Sequence, residues 1–274
     1  MTLLLLLILP ALAGSKAESW RTQCKVNMKQ IGGAFNAYAN DRSDQYPPAG
    51  LDNGTSVAQA AWDGYLQVYL GGRWPQANMT YGTIPIEYTP LAEWCPADVK
   101  PSGWMSDWAG RRSYAMIPPG GYQVGYMVPA NNRKYVLPPL ASRSPCGVGV
   151  YWRVLGDSSV DWEARGYRTT AVQDPGGSLL LVEEPFNNQA AGNIWACFCM
   201  GPYSAVRSEL YQVSPPTNAP TSIVPYGSYV YRLHGDRFNY LFHDGHVAPL
   251  TIEQTVGSGT LTNALGMWTT VAGD

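Results

Sequence analysis

The three histidines of the chain, with an acidic neighbour, are the side chains best suited to chemistry. All three lie between Tyr231 and Leu250. His243, Asp244 and His246 could together hold a metal ion, because imidazole nitrogens and a carboxylate oxygen are ligands that zinc accepts. These residues surround an expected solvent-exposed turn, however, where a closed metal site is unusual. We therefore interpret the stretch as structural and expect no bound metal.

The pattern of this stretch predicts a β-hairpin. Phe238, Tyr240 and Phe242 alternate with other residues, which is typical of a half-buried strand. Asp244-Gly245 is a common two-residue hairpin turn, in which the glycine supplies a positive φ. The second strand is therefore expected to run from His246 to Leu250.

The predicted turn also determines where the histidines lie. With a two-residue loop, His243 and His246 form the closing cross-strand pair, and both imidazoles project from the same face. His234 precedes the first strand. We expect it to order the loop before the hairpin by a hydrogen bond to the backbone or to Asp244.

Acidic residues elsewhere do not form a convincing catalytic pair. Glu183 and Glu184 end a predicted strand, with Asp157, Asp161 and Glu163 upstream. Adjacent residues of a strand point to opposite faces, so the two glutamates cannot themselves act as a glycosidase carboxylate pair. We interpret them as a solvated strand end. Because serine-hydrolase, phosphate-loop and metalloprotease motifs are also missing from the sequence, we expect no catalytic residues.

Composition favours a loop-rich, strand-rich domain. The 274 residues include 29 glycines, 22 prolines, 10 tryptophans and 18 tyrosines, but only 14% are charged. The chain is long enough for a substantial core. Its net charge of −2 lacks the basic surplus that nucleic-acid binding needs, so we expect no nucleic-acid partner.

The N-terminal region has an apolar part and an amphipathic part. Thr2 to Ala13 is almost wholly apolar, but its twelve residues fall short of the roughly 20 that cross a bilayer. This part fits a secretory signal with Ala11-Leu12-Ala13 as its cleavage site, or the lower half of a membrane helix that continues onward. From Lys16 to Asn40 the pattern predicts an amphipathic helix, in which Gly32-Gly33 would permit a bend or a close packing approach. Its apolar residues recur at steps of three and four: Trp20, Cys24, Met28, Ile31, Phe35 and Tyr38.

The remaining chain predicts short elements separated by frequent prolines. Ala58 to Leu70 has the pattern of a second helix. Tyr126 to Ala141 predicts a hairpin around Asn131-Asn132, and Gly147 to Leu155 and Ser178 to Glu183 predict strands. Asn187 to Pro225 is rich in proline, serine, asparagine and glycine, which indicates an elaborated surface region.

Several short motifs occur in an order that is typical of one family. They are Cys24 followed by Met28-Lys29-Gln30-Ile31-Gly32, Trp94-Cys95-Pro96 with Asp98, Ser113-Tyr114-Ala115-Met116, Asp174-Pro175 before Leu179-Leu180-Leu181-Val182, a His-x9-Asp-Gly motif from His234 to Gly245 followed by His246-Val247, Gly266-Met267-Trp268-Thr269, and Ala272-Gly273-Asp274. In this combination the chain resembles the prepilin-like proteins with a C-terminal H-x9-DG motif. These belong to the type IV pilin-like superfamily, with the type II secretion pseudopilins. The resemblance covers both ends well and the middle thinly.

The resemblance implies an α+β, pilin-like fold. A long N-terminal helix, residues 1–40, would pack on a mainly antiparallel sheet in a head domain, residues 41–274, with long loop insertions. The histidine stretch would then be a structural motif of this head, formed by His234, Asp244, Gly245 and His246.

The cysteines that lie in family-like motifs are Cys24 and Cys95. The resemblance implies that these two face each other in a disulfide, although both could instead be small buried apolar residues. Cys197 and Cys199 lie on the same side of a predicted strand, poorly placed to bond to each other. One of them is expected to pair with Cys146.

In function, the resemblance implies a structural subunit of a type IV pilus-like filament or a secretion pseudopilus, without a cofactor. It would be anchored in the inner membrane first, and would then join a periplasmic or extracellular filament with copies of itself or other pseudopilins. Prepilins carry a basic leader and a glutamate near the mature N-terminus. Neither is present in this sequence, so we expect a start codon upstream of Met1 or a clipped subunit. The apolar assembly residues would be Leu3, Leu4, Leu5, Leu6, Leu7, Ile8, Leu9 and Leu12.

An alternative is an exported carbohydrate-binding or adhesive module. Aromatic residues are abundant and charges few, and exposed aromatic rings stack on the faces of sugars. This alternative requires exposed, coplanar rings among Trp104, Trp108, Trp152, Trp162 and Trp195.

Overall fold

The computed structural model gives an α+β fold, in agreement with the predicted class. It describes residues 2–52, 59–79, 82–98, 108–119, 124–128, 134–137, 146–154, 160–184, 190–194, 197–199, 201–202, 234, 237–261 and 263–274. One long N-terminal helix is followed by short strands and single helical turns.

Helix α1 is continuous over Thr2–Asp41, 40 residues, or about 60 Å at 1.5 Å per residue. No helix in the described part of the chain is both long enough and apolar enough for a bilayer crossing. Residues 14–19 of α1 are exposed, and Trp20 is half-buried beneath the Lys16 ammonium group. The predicted amphipathic stripe is confirmed from Cys24 onward, where these side chains are buried: Cys24, Met28, Ile31, Phe35 and Tyr38.

Two local features adapt α1 to the rest of the fold. A Cβ atom on Gly32 would lie 2.9 Å from a methyl group of Leu241, so the glycine permits close packing between helix and sheet. At the other end, Ser43 and Asp44 have positive φ, and the Asp44 amide donates to the Ala39 carbonyl over 2.9 Å. Left-handed residues with such a hydrogen bond are typical of a helix C-terminus.

In the described ranges, nine short strands, numbered in chain order, form two sheets. They are β1 Gly50–Asp52, β2 Gln59–Ala61, β3 Tyr114–Met116, β4 Val124–Val128, β5 Lys134–Val136, β6 Tyr151–Val154, β7 Leu179–Glu183, β8 Phe238–Phe242 and β9 Val247–Leu250. The first sheet has the order β2-β1-β6-β4-β5 and is mixed, because β6 runs parallel to β1 and β4. The second has the order β3-β7-β8-β9 and is antiparallel throughout.

The single, mainly antiparallel sheet expected from the sequence is therefore only part of the fold. Strands β1 and β2 of the mixed sheet have three residues each, which is too short for alternation to reveal them. Where the sequence predicted one helix over Ala58 to Leu70, the chain forms β2, helix α2 at Trp62–Leu66 and a 3₁₀ turn at Gln67–Leu70. The first residues of that stretch pair with β1, which excludes them from a helix.

Other predicted elements are confirmed. Strands β4 and β5 pair in antiparallel fashion, as the hairpin predicted for Tyr126 to Ala141 requires, although β4 begins two residues earlier, at Val124. The predicted turn at Asn131-Asn132 lies outside the described residues. Strands β6 and β7 lie inside the two predicted strand ranges. The segment from Asn187 to Pro225 falls largely outside the described residues.

The antiparallel sheet is covered on both faces. Helix α1 packs on β8 and β9, and Leu241 belongs to the cluster formed with the helix. On the opposite face Tyr240 packs with Ile252 and Trp268 from the C-terminal segment. All five residues of β8 are consequently buried, not only the alternate ones. Alternation predicted a half-buried strand because it does not reveal that a later segment covers the second face.

Candidate functional site

A disulfide joins α1 to the head. Cys24 and Cys95 are both fully buried, with Cα atoms 5.0 Å apart, and they are the pair that the family resemblance implied. Cys95 follows a 3₁₀ turn at Leu91–Glu93, and its amide donates to the Ser113 hydroxyl over 3.1 Å. Among the residues of α1 whose burial is described, from Gly14 onward, the bond lies at the first fully buried position, just after the exposed part.

His234 lies directly beside this disulfide. Its Nε2 is 3.4 Å from the Cys95 sulfur and 3.0 Å from a carboxylate oxygen of Glu183. Asn239 donates two hydrogen bonds to the same carboxylate, one from its backbone N–H over 2.7 Å and one from its side-chain Nδ2 over 3.0 Å. All of these groups are buried.

Among the described residues, the expected hydrogen bond from His234 to the backbone or to Asp244 is not formed. His234 precedes β8 and Asp244 follows it, and five extended residues separate their ends by about 17 Å at 3.3 Å per residue. The His-x9-Asp-Gly motif therefore places its histidine at one end of a strand and its turn at the other. His234 instead contacts Glu183, which is 51 residues away in sequence.

Aligned neighbouring strands bring the polar groups together. Tyr114 of β3 pairs with Glu183 of β7, and continuing the β7–β8 register places Asn239 opposite Glu183. Burial raises the pKa of Tyr114 well above its usual value, and the nearby Glu183 charge adds to that shift. The carboxylate thus lies at the centre of three strands, on the side covered by α1.

A second acidic group near the disulfide is neutralised by an arginine. Arg111 donates to both oxygens of Asp98, over 2.9 and 2.6 Å, and the Ser113 hydroxyl donates to the same carboxylate over 2.8 Å. A bidentate pair of this kind fixes geometry as well as charge. The ion pair gives Asp98 a structural role: it fixes the segment Trp94-Cys95-Pro96, which carries one cysteine of the disulfide.

The hairpin turn is one residue longer than predicted. The Phe242 amide donates to the His246 carbonyl, so these two residues close the hairpin around a three-residue loop. The Gly245 amide donates back to the Phe242 carbonyl, and Gly245 has φ of 88°, as its expected role requires. Since the register differs by one residue, His243 and His246 are not a cross-strand pair and do not share a face.

The two loop histidines have opposite environments. His246 is exposed, stacks on Phe242 with ring centroids 4.1 Å apart, and lies 2.6 Å from the Asp244 carboxylate. His243 is buried and shares a 2.9 Å hydrogen bond with the Tyr46 hydroxyl. Burial lowers the pKa of His243 to about 3. In the described part of the chain, the three side chains do not converge on a metal position.

Replacing His243 with glutamine is expected to remove the part of the pH dependence of stability between pH 6.5 and 3 that this buried histidine contributes. The folded pKa is about 3, against 6.5 for an ordinary histidine, so the unfolded chain binds one more proton in this window. The contribution of neutral His243 is complete above pH 6.5 and falls as the pH drops, by up to about 1.4 kcal/mol per pH unit. Urea unfolding at several pH values measures this slope.

His246→Gln is the matched control for that experiment. This histidine is exposed and lies in the same loop, so its removal should leave the slope of the wild-type protein unchanged between pH 6.5 and 4.5, above the range in which its partner Asp244 titrates. Equal slopes for the wild-type protein and His243→Gln would contradict the assignment of the buried, neutral histidine.

A buried charge cluster that the sequence did not indicate lies nearby. Arg112 donates to Asp63 over 2.7 Å and to the Asn193 carbonyl over 2.9 Å, and both members of this ion pair have fully buried side chains. The Gly192 amide donates to the other Asp63 oxygen over 2.6 Å. Burial, together with the Asp63 charge, raises the pKa of Glu93 well above its usual value. No sequence pattern marks a lone arginine as buried, because its partners are distant along the chain.

The predicted solvated end of β7 is wrong. Glu183 and Glu184 are 1% and 3% exposed. Asp161 is also buried and accepts a hydrogen bond from the Glu163 amide, whereas the Glu163 side chain is exposed and pairs with a surface arginine. Asp157 lies outside the described residues. Glu183, Asp161 and Glu163 therefore have separate structural partners.

The remaining cysteines are buried thiols. Cys146, Cys197 and Cys199 do not form disulfides, so the predicted pairing of Cys146 with one of the other two is wrong. Burial raises the pKa of Cys197 to about 12, which keeps that thiol protonated at neutral pH. Cys199 donates to the Gly201 carbonyl over 3.3 Å.

The tryptophans that motivated the carbohydrate-binding alternative offer little exposed surface. Trp152 is fully buried, Trp162 is half-buried against the core, and Trp108 is 41% exposed. Trp104 and Trp195 lie outside the described residues. A sugar platform needs several accessible rings in one plane. The described rings of this set do not supply one.

Comparison of the chain with protein-family models, curated proteins and solved structures gives no match. Function is therefore inferred from the motifs and from the geometry above. The described features that bear most directly on it are the long helix, the disulfide at its first buried position, and the buried histidine and carboxylate beside that disulfide.

Proposed function

We propose that the chain is a structural subunit with a pilin-like fold, which assembles into a filament or pseudopilus through helix α1. The observation that supports this most directly is that one continuous helix has an exposed segment followed by a segment buried against the head. Residues 14–19 are exposed beyond the head, whereas Cys24 and the apolar residues after it are buried against the sheet. The part of the helix from Cys24 onward is thus docked on the head, and residues 14–19 before it are accessible to partners.

The apolar start of the helix supplies the driving force in this proposal. Thr2 to Ala13 spans about 18 Å of helix at 1.5 Å per residue, and its sequence is almost wholly apolar. An apolar helix must be buried in lipid or against other helices, and moving between the two costs little because lipid tails are as apolar as leucine. The inner membrane before assembly, and helices of other copies or other pseudopilins afterwards, are the partners that satisfy this requirement.

The proposal assigns no chemical step to the head. The His-x9-Asp-Gly motif has a structural role in it, since His234 contacts the buried Glu183 and Gly245 forms the turn. The sulfurs of Cys24 and Cys95 are fully buried, so a dissolved substrate does not reach them in this conformation. The head would present its loops at the surface of the filament at the bacterial cell surface.

Deleting Met1 to Ala13 is expected to abolish filament assembly and give a soluble monomer. The deletion removes the apolar assembly surface but leaves the docked part of α1 and its disulfide in place. Electron microscopy and analytical ultracentrifugation of full-length and shortened protein measure the difference.

A charge placed on the head is the control for that deletion. Val68 is 70% exposed, so Val68→Glu should leave assembly intact, whereas Leu5→Glu within the apolar segment should impair it. Filaments that persist after the deletion would mean that the head assembles unaided, and would overturn the proposed role of the helix.

A further inference from the structure

We infer that Cys24, Cys95, Glu183 and His234 form a Zn²⁺ site whenever the two cysteines are thiols. The same two cysteines would then form either the disulfide or two of the ligands of a metal ion. Either arrangement links α1 to the head. The inference rests on the described geometry and does not depend on the proposed filament.

The four side chains converge on a single point. Each supplies one ligand atom, these atoms lie within 4.8 Å of one another, and all four residues are buried. Two thiolates, an imidazole nitrogen and a carboxylate oxygen are ligands that Zn²⁺ accepts in tetrahedral sites, at about 2.0–2.3 Å. Ligands at that radius lie about 3.3–3.8 Å apart, so modest side-chain rotations after cleavage of the S–S bond would complete the site.

The carboxylate provides a second and independent indication of a cation. Among the described residues, Glu183 forms no ion pair with a lysine or arginine, although its side chain is fully buried. Asp98, in the same region, has Arg111 on both of its oxygens. Buried carboxylates are usually paired with a cation or a metal. Glu183 instead faces His234 and the two sulfurs.

One residue outside the four ligands, Asn239, is placed to orient a metal ligand. Asn239 donates two hydrogen bonds to Glu183, which fixes the orientation of the carboxylate. His234 Nε2 faces the site, while its buried Nδ1 has no hydrogen-bond partner in the described part of the chain. Metal coordination through Nε2 leaves Nδ1 as the protonated nitrogen.

The exchange between the two occupants balances in atoms and charge. When Zn²⁺ binds, the two thiols lose two protons, so the net charge of the site is unchanged. Oxidation by a disulfide-bearing oxidant transfers two electrons from the thiolates, forms the Cys24–Cys95 bond, breaks the oxidant's S–S bond and releases Zn²⁺, while the oxidant takes up two protons. Return to the metal-bound state needs a dithiol reductant of equal stoichiometry.

The test uses the full chain, produced and purified without oxygen in a phosphine reductant, and titrated with Co²⁺ and then with Zn²⁺. We expect one equivalent of Co²⁺ to give the thiolate charge-transfer and tetrahedral d–d absorption, and Zn²⁺ to displace it. The oxidised chain should bind neither ion at this position. X-ray absorption should count two sulfur ligands.

Substitutions locate the bound ion. Cys95→Ala should abolish tetrahedral binding, and Asn239→Ala should weaken it by about 10- to 100-fold, as loss of an orienting group does elsewhere. His246→Gln removes an exposed histidine outside the site and should change nothing. A variant with Cys146, Cys197 and Cys199 replaced by alanine should retain binding, which excludes the other thiols.

Three results would overturn the inference. They are a reduced, folded chain that binds no stoichiometric Co²⁺, binding that survives Cys95→Ala, and a reduced chain that stays unfolded in the presence of Zn²⁺. The last counts against the site because four converging ligands should stabilise the fold when the metal binds.

Discussion

Replacing Cys24 and Cys95 with alanine is expected to lower the free energy of unfolding by about 4 kcal/mol. The disulfide spans 71 residues of sequence. In the chain-entropy model, closing a loop of this length lowers the conformational entropy of the unfolded chain by an amount equivalent to about 4 kcal/mol. Both sulfurs are buried between α1 and the segment that follows the 3₁₀ turn at Leu91–Glu93, so their loss also weakens packing. Urea unfolding of metal-free protein measures the difference.

Cys146→Ala is the matched control for this double variant. Cys146 is a buried thiol without a disulfide, so its replacement measures the cost of losing one packed sulfur. If the double variant loses no more than twice as much stability as this control, the cross-link contributes little and the predicted effect is wrong.

Replacing Arg112 with methionine is expected to lower the free energy of unfolding by about 3–5 kcal/mol. Arg112 and Asp63 form an ion pair whose side chains are fully buried, and removal of one partner leaves the other charge without compensation. Glu93 lies close to the same group, since burial and then the Asp63 charge raise its pKa. Arg112 also places its guanidinium 5.7 Å from the centre of the Trp62 ring, a contact that the variant loses.

Two further variants separate charge from packing. Adding Asp63→Asn to Arg112→Met removes both charges and keeps an acceptor for the Gly192 amide, so it should recover much of the loss. Arg153 is 47% exposed and lies 3.8 Å from Asp52, and Arg153→Met should cost no more than about 1 kcal/mol. Similar losses for Arg112→Met and Arg153→Met would contradict the importance of burial.

The elements predicted successfully are those with a long or strong local pattern. The apolar residues of α1 recur over several turns, and the apolar run of β7 is continuous, so both are evident without knowledge of their partners. The C-terminal hairpin was predicted, but its register was one residue out. Asp-Gly fits a two-residue loop and also a three-residue loop with glycine last. In the structure, the longer loop allows His243 to reach Tyr46, which is 197 residues away.

The candidate site was harder to predict because its members are distant in sequence. Glu183 was interpreted as a solvated strand end, since nothing near it indicates that Asn239 and His234 cover it. Arg112 was not singled out, because its partner Asp63 lies 49 residues earlier. Whether a charged side chain is buried depends on groups that only the tertiary fold assembles. Motif spacing singles out His234 but predicts the wrong partner for it.

The position of the disulfide has a mechanical consequence. Cys24 is the first fully buried residue after the exposed part of α1, and its partner lies in a segment anchored by Asp98 and Arg111. A pulling force on the N-terminal end of α1 would be transmitted to the head through the covalent Cys24–Cys95 bond. The remaining turns would therefore resist being peeled away one after another, and strain would be transferred to the strands beneath them.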